Sequence, residues 1–277
     1  MTDQHHLEAP APSARASALG AIVAGRRPLK LVERNAMAYR RSWYVFVAGF
    51  FEPVLYLLSI GIGVGALVGD LPGPGGQPIG YEVFVAPGLL AAAAMNGAIF
   101  DTTFNFFVKY KYAHTYDAVL ATPLSVHDVA LGEVIWALLR GAAYSAAFLV
   151  AMVVLGLVQS PWAVLALPVA VLIGFAFAGA GLAATTWMRS FIDFDYVMLA
   201  MVPMFLFSAT FFPLDRYPTA IGWLVRATPL YQGVALERAL VLGGVSWGLL
   251  VHVAYLAALG AGGVWIATRR LGRLLQP

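Results

Sequence analysis

Three ionisable residues stand where the sequence is otherwise apolar: Glu52 in FFEPVLYLL, Asp101 in AIFDTTF and Arg140 in ALLRGAA. A charge held at the centre of a membrane helix costs about 2.5–3.5 kcal/mol on insertion scales, so each needs a partner or a task. Two carboxylates and a guanidinium can form a structural ion pair, or a relay for protons or substrate, and residue types alone leave both open. A second stretch with chemistry in it is YDAVLATPLSVHDVALGE, residues 116–133, which separates two apolar runs and follows Lys109 and Lys111. It holds three acids, a Thr-Pro break and a Ser-x-His-Asp turn.

Other motifs fail on context. Gly61-x-Gly63-x-x-Ala66 has the letters of a dinucleotide site but no preceding strand. Gly244-Val245-Ser246-Trp247-Gly248 spells a serine-hydrolase elbow, yet it opens an apolar run and lacks the strand-turn-helix setting. His5 and His6 are adjacent with no third ligand nearby. No Lys follows a Gly, so the Gly-Lys-Ser/Thr of a phosphate-binding loop is absent and this chain does not hydrolyse nucleotide.

The elements that must position these groups follow from composition. Of 277 residues, 61% are hydrophobic and 11% charged, and there is no cysteine. A crossing helix needs about 20 apolar residues, and the pattern predicts an all-α membrane protein with six: near 43–68, 83–108, 134–158, 162–187, 196–212 and 245–267. Thirteen Lys and Arg flank these spans on one side and three on the other. The positive-inside rule then places both termini and the 109–133 loop in the cytoplasm. At about 1.5 Å per residue, Glu52, Asp101 and Arg140 share a depth of roughly 9–14 Å below that face, so Arg140 can pair with one or both acids.

Outside the spans, residues 1–18 read as a disordered cytoplasmic tail and 269–277 as a short cytoplasmic end. Residues 19–42 carry Arg26, Arg27, Lys30 and Arg34 beside a partly apolar face, which predicts an amphipathic helix lying on the inner leaflet. Gly61, Gly65 and Gly69 repeat every four residues and predict a packing face on the first span. Segment 213–244 is apolar but is divided by Pro218 and Pro229 and holds five charges, so it is expected to dip into the outer leaflet as two short helices. Glu237 would neutralise Arg238 or Arg226 at the surface there.

The order of a basic amphipathic segment, FFEPVLYLLSIGIGVG, YDAVLATPLSVHDVALGE and FSATFFPLDRYPTAIGWLVRATPLYQGVALERAL resembles the permease subunits of ABC-2 type exporters over about residues 25–270. It is most similar to the branch holding the nodulation lipooligosaccharide exporter and the daunorubicin-type drug exporters. The resemblance implies a coupling helix and turn that fit an ATPase, here Thr115, Asp117, Thr122, Pro123, Leu124 and Asp128. It implies an interfacial helix around Arg26, Arg27, Lys30 and Arg34, and a re-entrant exit gate with Pro213, Tyr217, Trp223, Pro229, Tyr231 and Glu237. It also implies two ATPase copies carrying ATP and Mg, a second permease half, most simply this chain again, and surrounding lipid. The chain itself is expected to bind no cofactor and no nucleic acid. The competing class is a stand-alone secondary transporter or channel using Glu52, Asp101 and Arg140; no supported nucleophile or paired-His motif favours an enzyme.

Overall fold

The computed structural model describes residues 14–40 and 43–275, and for 14–26, 43–50 and residue 62 the backbone alone. Residues 1–13, including His5 and His6, and the last two residues of the predicted end segment lie outside the described residues. The helices in chain order are α1 (Ala14–Arg40), α2 (Trp43–Val68), α3 (Tyr81–Phe100), α4 (Thr115–Leu120) and α5 (Val126–Val154). They continue as α6 (Ala166–Thr185), α7 (Phe194–Leu206), α8 (Thr219–Ala227), α9 (Pro229–Leu242) and α10 (Leu249–Leu275). Strands β1 (Leu71–Pro72) and β2 (Pro78–Ile79) form a two-residue antiparallel hairpin between α2 and α3. α1 begins at Ala14, so the helical segment starts earlier than residue 19.

Helices long and apolar enough to cross a membrane cover Phe51–Val68, Tyr81–Tyr112, Val126–Val154, Pro161–Thr185 and Leu249–Leu275. They match five of the six expected spans. The sixth, expected at 196–212, is the 13-residue α7, which stops at Leu206 where Phe207 N donates to Pro203 O at 2.8 Å. Its apolar sequence continues beyond the helix as a turn containing Ala209 at φ 57°.

α6 is the hub, packed against α3, α5, α9 and α10. Its run ALPVAVLIGFAFAGAGLAAT has no charge and many small residues, which lets neighbouring backbones approach closely where hydrophobicity alone provides little drive for association. Gly179 on α6 meets Gly260 and Gly263 on α10 backbone to backbone. The glycine stripe expected on α2 does its packing at two positions: Gly61 and Gly65 face Glu82 and Tyr81 at the start of α3. Gly69 lies past the end of the helix at φ 71° and serves the turn.

α3 is prolonged by two π-turns, Asp101–Asn105 and Val108–Tyr112, into one continuous rod. A π-turn leaves carbonyls poorly served by the helix. Thr102 and Thr103 answer this locally, their hydroxyls donating to Ala98 O at 2.8 Å and Ile99 O at 2.6 Å, while Thr185 on α6 donates to Thr102 O at 2.9 Å.

Candidate functional site

α4 stands at the end of the bundle that carries Lys109 and Lys111, and it is entered through His114 in the left-handed region at φ 47°. His114 Nδ1 lies 3.0 Å from Asp117 Oδ2 on open surface. Thr122 Oγ1 donates to Val119 O at 2.6 Å, closing the helix just before Pro123, which has no N–H to extend it. Asp117, Thr122 and Pro123 are exposed, and Thr115 and Leu124 half-buried. Tyr116 behaves oppositely. It is completely buried, its ring stacked on Phe106 at 5.0 Å between centroids.

The next residues begin α5. Asp128 N donates to Ser125 Oγ at 3.2 Å, and Asp128 Oδ2 accepts from Ser125 N at 2.8 Å and Ser125 Oγ at 2.7 Å, a reciprocal capping box. Asp128 is therefore buried and occupied at a helix start, which corrects the expectation that it belongs to the exposed contact surface. The Ser-x-x-Asp spacing was the signal for it.

On α1, Arg27 and Lys30 are exposed, with Lys30 Nζ 2.9 Å from Glu33 Oε2, and Arg34 turns partly inward. The side chain of Arg26 lies outside the described residues. Leu31 docks α1 onto α5 at Gly132, where an added Cβ would come 2.8 Å from Leu31 Cβ and 2.9 Å from Pro28 O.

Between α1, the π-turned end of α3 and α5 runs a buried polar ladder. Lys109 Nζ donates to Glu133 Oε2 at 2.7 Å and to Asn35 Oδ1 at 3.3 Å. One level deeper, Asn105 Nδ2 donates to Asp101 Oδ1 at 2.6 Å and to Tyr39 OH at 3.4 Å. Arg140 completes it, pairing through Nη2 with Asp101 Oδ1 and donating from Nη1 to Tyr39 OH at 3.0 Å. The Arg140 and Asp101 side chains are only 6% and 4% exposed. The predicted Arg140–carboxylate pair thus exists, and its acid is Asp101.

Glu52 stands apart, which corrects its place in the cluster. It is exposed on α2, and no ion pair among the described residues joins it to Arg140. α2 packs on α3 through Leu57 and Gly61, five and nine residues on, which lie about 140–180° around the helix from Glu52. Sequence spacing did carry the ladder: Asn35 and Tyr39, then Asp101, Asn105 and Lys109, recur every four residues, as one helix face requires.

The sequence profile described as ABC-2 type transporter matches residues 29–242. The chain belongs to the ABC-2 type transporter family. Among curated proteins it is similar to nodulation protein J of Rhizobium leguminosarum bv. trifolii, 32% identical over 222 residues covering 79% of this chain and 83% of that one. Nodulation protein J of Sinorhizobium fredii strain NGR234 is 31% identical over 225 residues, 80% of this chain and 84% of that one. Nodulation protein J of Rhizobium meliloti strain 1021 is 28% identical over 246 residues, 88% and 92%.

At the opposite end of this ABC-2 protein, Arg238 on α9 ties three elements together. Its Nε donates to Phe84 O at 3.3 Å, and its Nη2 to Ala209 O at 2.8 Å and Thr210 O at 3.2 Å. The guanidinium also lies 3.8 Å from the Phe84 ring centroid. This holds the turn after α7, with left-handed Ala209 in it, against the start of α3. Glu237 does not neutralise Arg238 or Arg226 at the surface, as the sequence suggested. It is wholly buried with neither oxygen hydrogen-bonded, and burial pushes its carboxyl well above the usual range. Arg226 instead rests 5.4 Å from the Trp223 ring.

The other residues expected in a gate surround these. Trp223 is 67% exposed, while Tyr217, Tyr231 and Pro213 are half-buried. Pro229 starts α9 behind Thr228, whose Oγ1 accepts from Tyr231 N at 3.4 Å. Tyr231 and Arg238, with Phe84, Leu214 and the hairpin residues Pro72 to Pro74, line a cavity of about 330 Å³.

Proposed function

We propose that this chain is the permease subunit of an ATP-driven exporter that moves an amphipathic substrate outward from the cytoplasmic side. ATP and Mg are held by a separate ATPase, present in two copies, that docks on α4 and the turn after it. The observation that carries this reading is the form of that turn: a six-residue helix anchored by one buried tyrosine, with Asp117, Thr122 and Pro123 left bare. A mere connector between two spans has no need of a buried anchor. The exposed basic residues of α1, Arg27 and Lys30, flank the same end and supply a second contact, toward the ATPase or anionic lipid.

In this reading α7 and the turn after it complete a sixth crossing, and α8 and α9 form the re-entrant pair at the outer face. Two copies pair around the substrate path. An open apolar groove of about 560 Å³ between α3, α6 and α7, lined by Phe177, Met201 and Met204, suits the acyl part of a lipid-linked saccharide, glycolipid or drug. A stand-alone carrier is less well supported, since Glu52 is separated from the closed Asp101–Arg140 pair.

The test is a search of the neighbouring reading frames for an ATPase with a phosphate-binding loop and co-purification of that ATPase with the permease, followed by Thr122→Arg and Leu124→Arg. Both substitutions should leave the permease folded and in the membrane while ATPase recovery falls about tenfold or more, since an unpaired charge forced into an interface costs a few kcal/mol. Undiminished recovery in both would refute the docking surface.

Sidedness has its own measurement, made simple by the absence of native cysteine. In intact cells, Gly75→Cys in the exposed hairpin loop should react with a membrane-impermeant maleimide. His114→Cys should react only with a permeant one. Equal reaction of both with the impermeant reagent would overturn the proposed topology.

A further inference from the structure

Arg140 and Arg238 are both drawn into the fold, and their charges are met differently. Arg140 has the Asp101 carboxylate. Arg238 has three backbone carbonyls, those of Phe84, Ala209 and Thr210, and the face of the Phe84 ring. These groups offset part of a positive charge, but none of them carries a negative one. No ion pair among the described residues joins Arg238 to an acid. Glu237, the next residue along, is not the counter-ion, because it faces into the bundle with both oxygens unbonded. A guanidinium keeps its charge at physiological pH, and a charge withdrawn from water calls for an opposite one.

The free end of Arg238 shows where that opposite charge fits. Nε and Nη2 are the atoms that bond the carbonyls. Nη1, with two N–H groups, makes no hydrogen bond among the described residues, and it is not sealed in the protein as Arg140 Nε is. Arg238 lines the cavity of about 330 Å³ at the end of the protein away from the coupling turn. Tyr231, Ala235 and Arg238 share its wall because intervals of four and three residues fall on one face of α9. The hydrogen bond of Tyr231 is made by its backbone N–H, which leaves its hydroxyl available. Ala235, between the two, carries only a methyl group, so the space from guanidinium to phenol stays open. No acidic residue lines the cavity. Its volume is at the small end of ligand pockets, about 300–1,000 Å³, and suits one charged group with a short attachment rather than a whole lipid.

We propose that this cavity binds an oxyanion ester, a phosphate or sulfate attached to a small polyol or sugar. The oxyanion pairs with Arg238 Nη1, and the hydroxyl-bearing part lies along Ala235 against the Tyr231 phenol. Such an ester is presented either free or as the headgroup of a lipid, and the chemistry of recognition is the same. The site depends neither on α4 nor on an ATPase. Binding supplies a counter-charge to the residue that holds the turn after α7 against α3, so it should also stabilise the fold.

The experiment titrates the purified full-length permease, in a non-ionic detergent, with sn-glycerol 3-phosphate and separately with dihexanoylphosphatidylglycerol, following heat of binding and unfolding midpoint. At least one ester should bind saturably, one per chain, and raise the midpoint. Binding of glycerol phosphate would identify a free ester as sufficient, and binding of the lipid alone would identify a headgroup. Arg238→Gln should abolish binding, but it also removes the bonds that join three elements. Two variants that keep Arg238 therefore decide. Ala235→Leu fills the space, and Tyr231→Phe removes one oxygen while keeping the ring. Each should weaken binding about tenfold or more, the weight of one hydrogen bond to a charged group. Ligand-free unfolding midpoints show that the variants are folded, and Tyr231→Phe, the milder change, keeps the test decisive where Ala235→Leu is destabilised. Absence of saturable binding of either ester to the unaltered protein would overturn the proposal. So would an affinity unchanged in either folded variant, since the ester would then be bound elsewhere.

Discussion

Replacing Arg140 by alanine is expected to destabilise the folded protein by about 3–5 kcal/mol, the usual consequence of removing one member of a buried ion pair. The reason is what remains. Asp101 would keep one hydrogen bond, from Asn105, and lose the only cation paired with it among the described residues. Tyr39 would lose the shorter of two hydrogen bonds donated to its hydroxyl, keeping that from Asn105, and the guanidinium that lies 5.2 Å from its ring centroid. Removing Asp101 too, as in the double variant Asp101→Ala with Arg140→Ala, takes away the stranded acid. It should be less damaging than the sum of the two single changes by more than about 1 kcal/mol. Unfolding of the detergent-solubilised permease, followed through the four variants of the cycle, measures this. Additive costs would show that the two groups do not depend on each other.

The pair itself was legible because charge in an apolar run is conspicuous and helix rise converts spacing into depth. Which acid Arg140 chooses was not. Depth is a single coordinate, and Glu52 satisfies it as well as Asp101 does. Azimuth decided, since the glycine face of α2 must meet α3 and so turns Glu52 away. The same limit explains Glu237. Its neighbours in sequence suggested a surface pair, but successive residues on a helix point about 100° apart. Arg238 reaches the turn after α7, while Glu237 faces into the bundle.

Asp128 shows a different failure. Its surroundings in sequence were those of a polar loop, and the resemblance carried it along with Thr122 and Leu124. Local backbone geometry claimed it first, because the first N–H groups of a helix need acceptors and Ser125 and Asp128 supply them. α7 also departed from expectation for a local reason. Hydropathy continues past Leu206, but hydropathy does not report that Ala209 adopts a left-handed turn held by Arg238.

The backbone crossing of α6 and α10 was invisible to a search for regular spacing, and it supports the second large prediction. Gly263→Val should prevent α10 from seating on α6. A Cβ at Gly263 would lie no farther than 2.6 Å from Gly179 C, Gly179 O and Ala180 N. All three are backbone atoms, so no side chain can move aside and the helices themselves must separate. Overpacking of a well-fitted core costs about 1–3 kcal/mol when side chains can adjust, and the rigid case belongs at or above the upper end. α6 also carries α3, α5 and α9, so the displacement would spread to the cavity beside Arg238 and the groove beside α7. The internal control is one residue away. Gly262 has nothing within 4 Å of its would-be Cβ, so Gly262→Ala should be neutral or stabilising by about 0.5–1 kcal/mol through helix propensity. Thermal unfolding of the purified protein should therefore separate two adjacent glycines in opposite directions. Equal stability of Gly263→Val and Gly262→Ala would mean that α6 and α10 do not cross backbone to backbone.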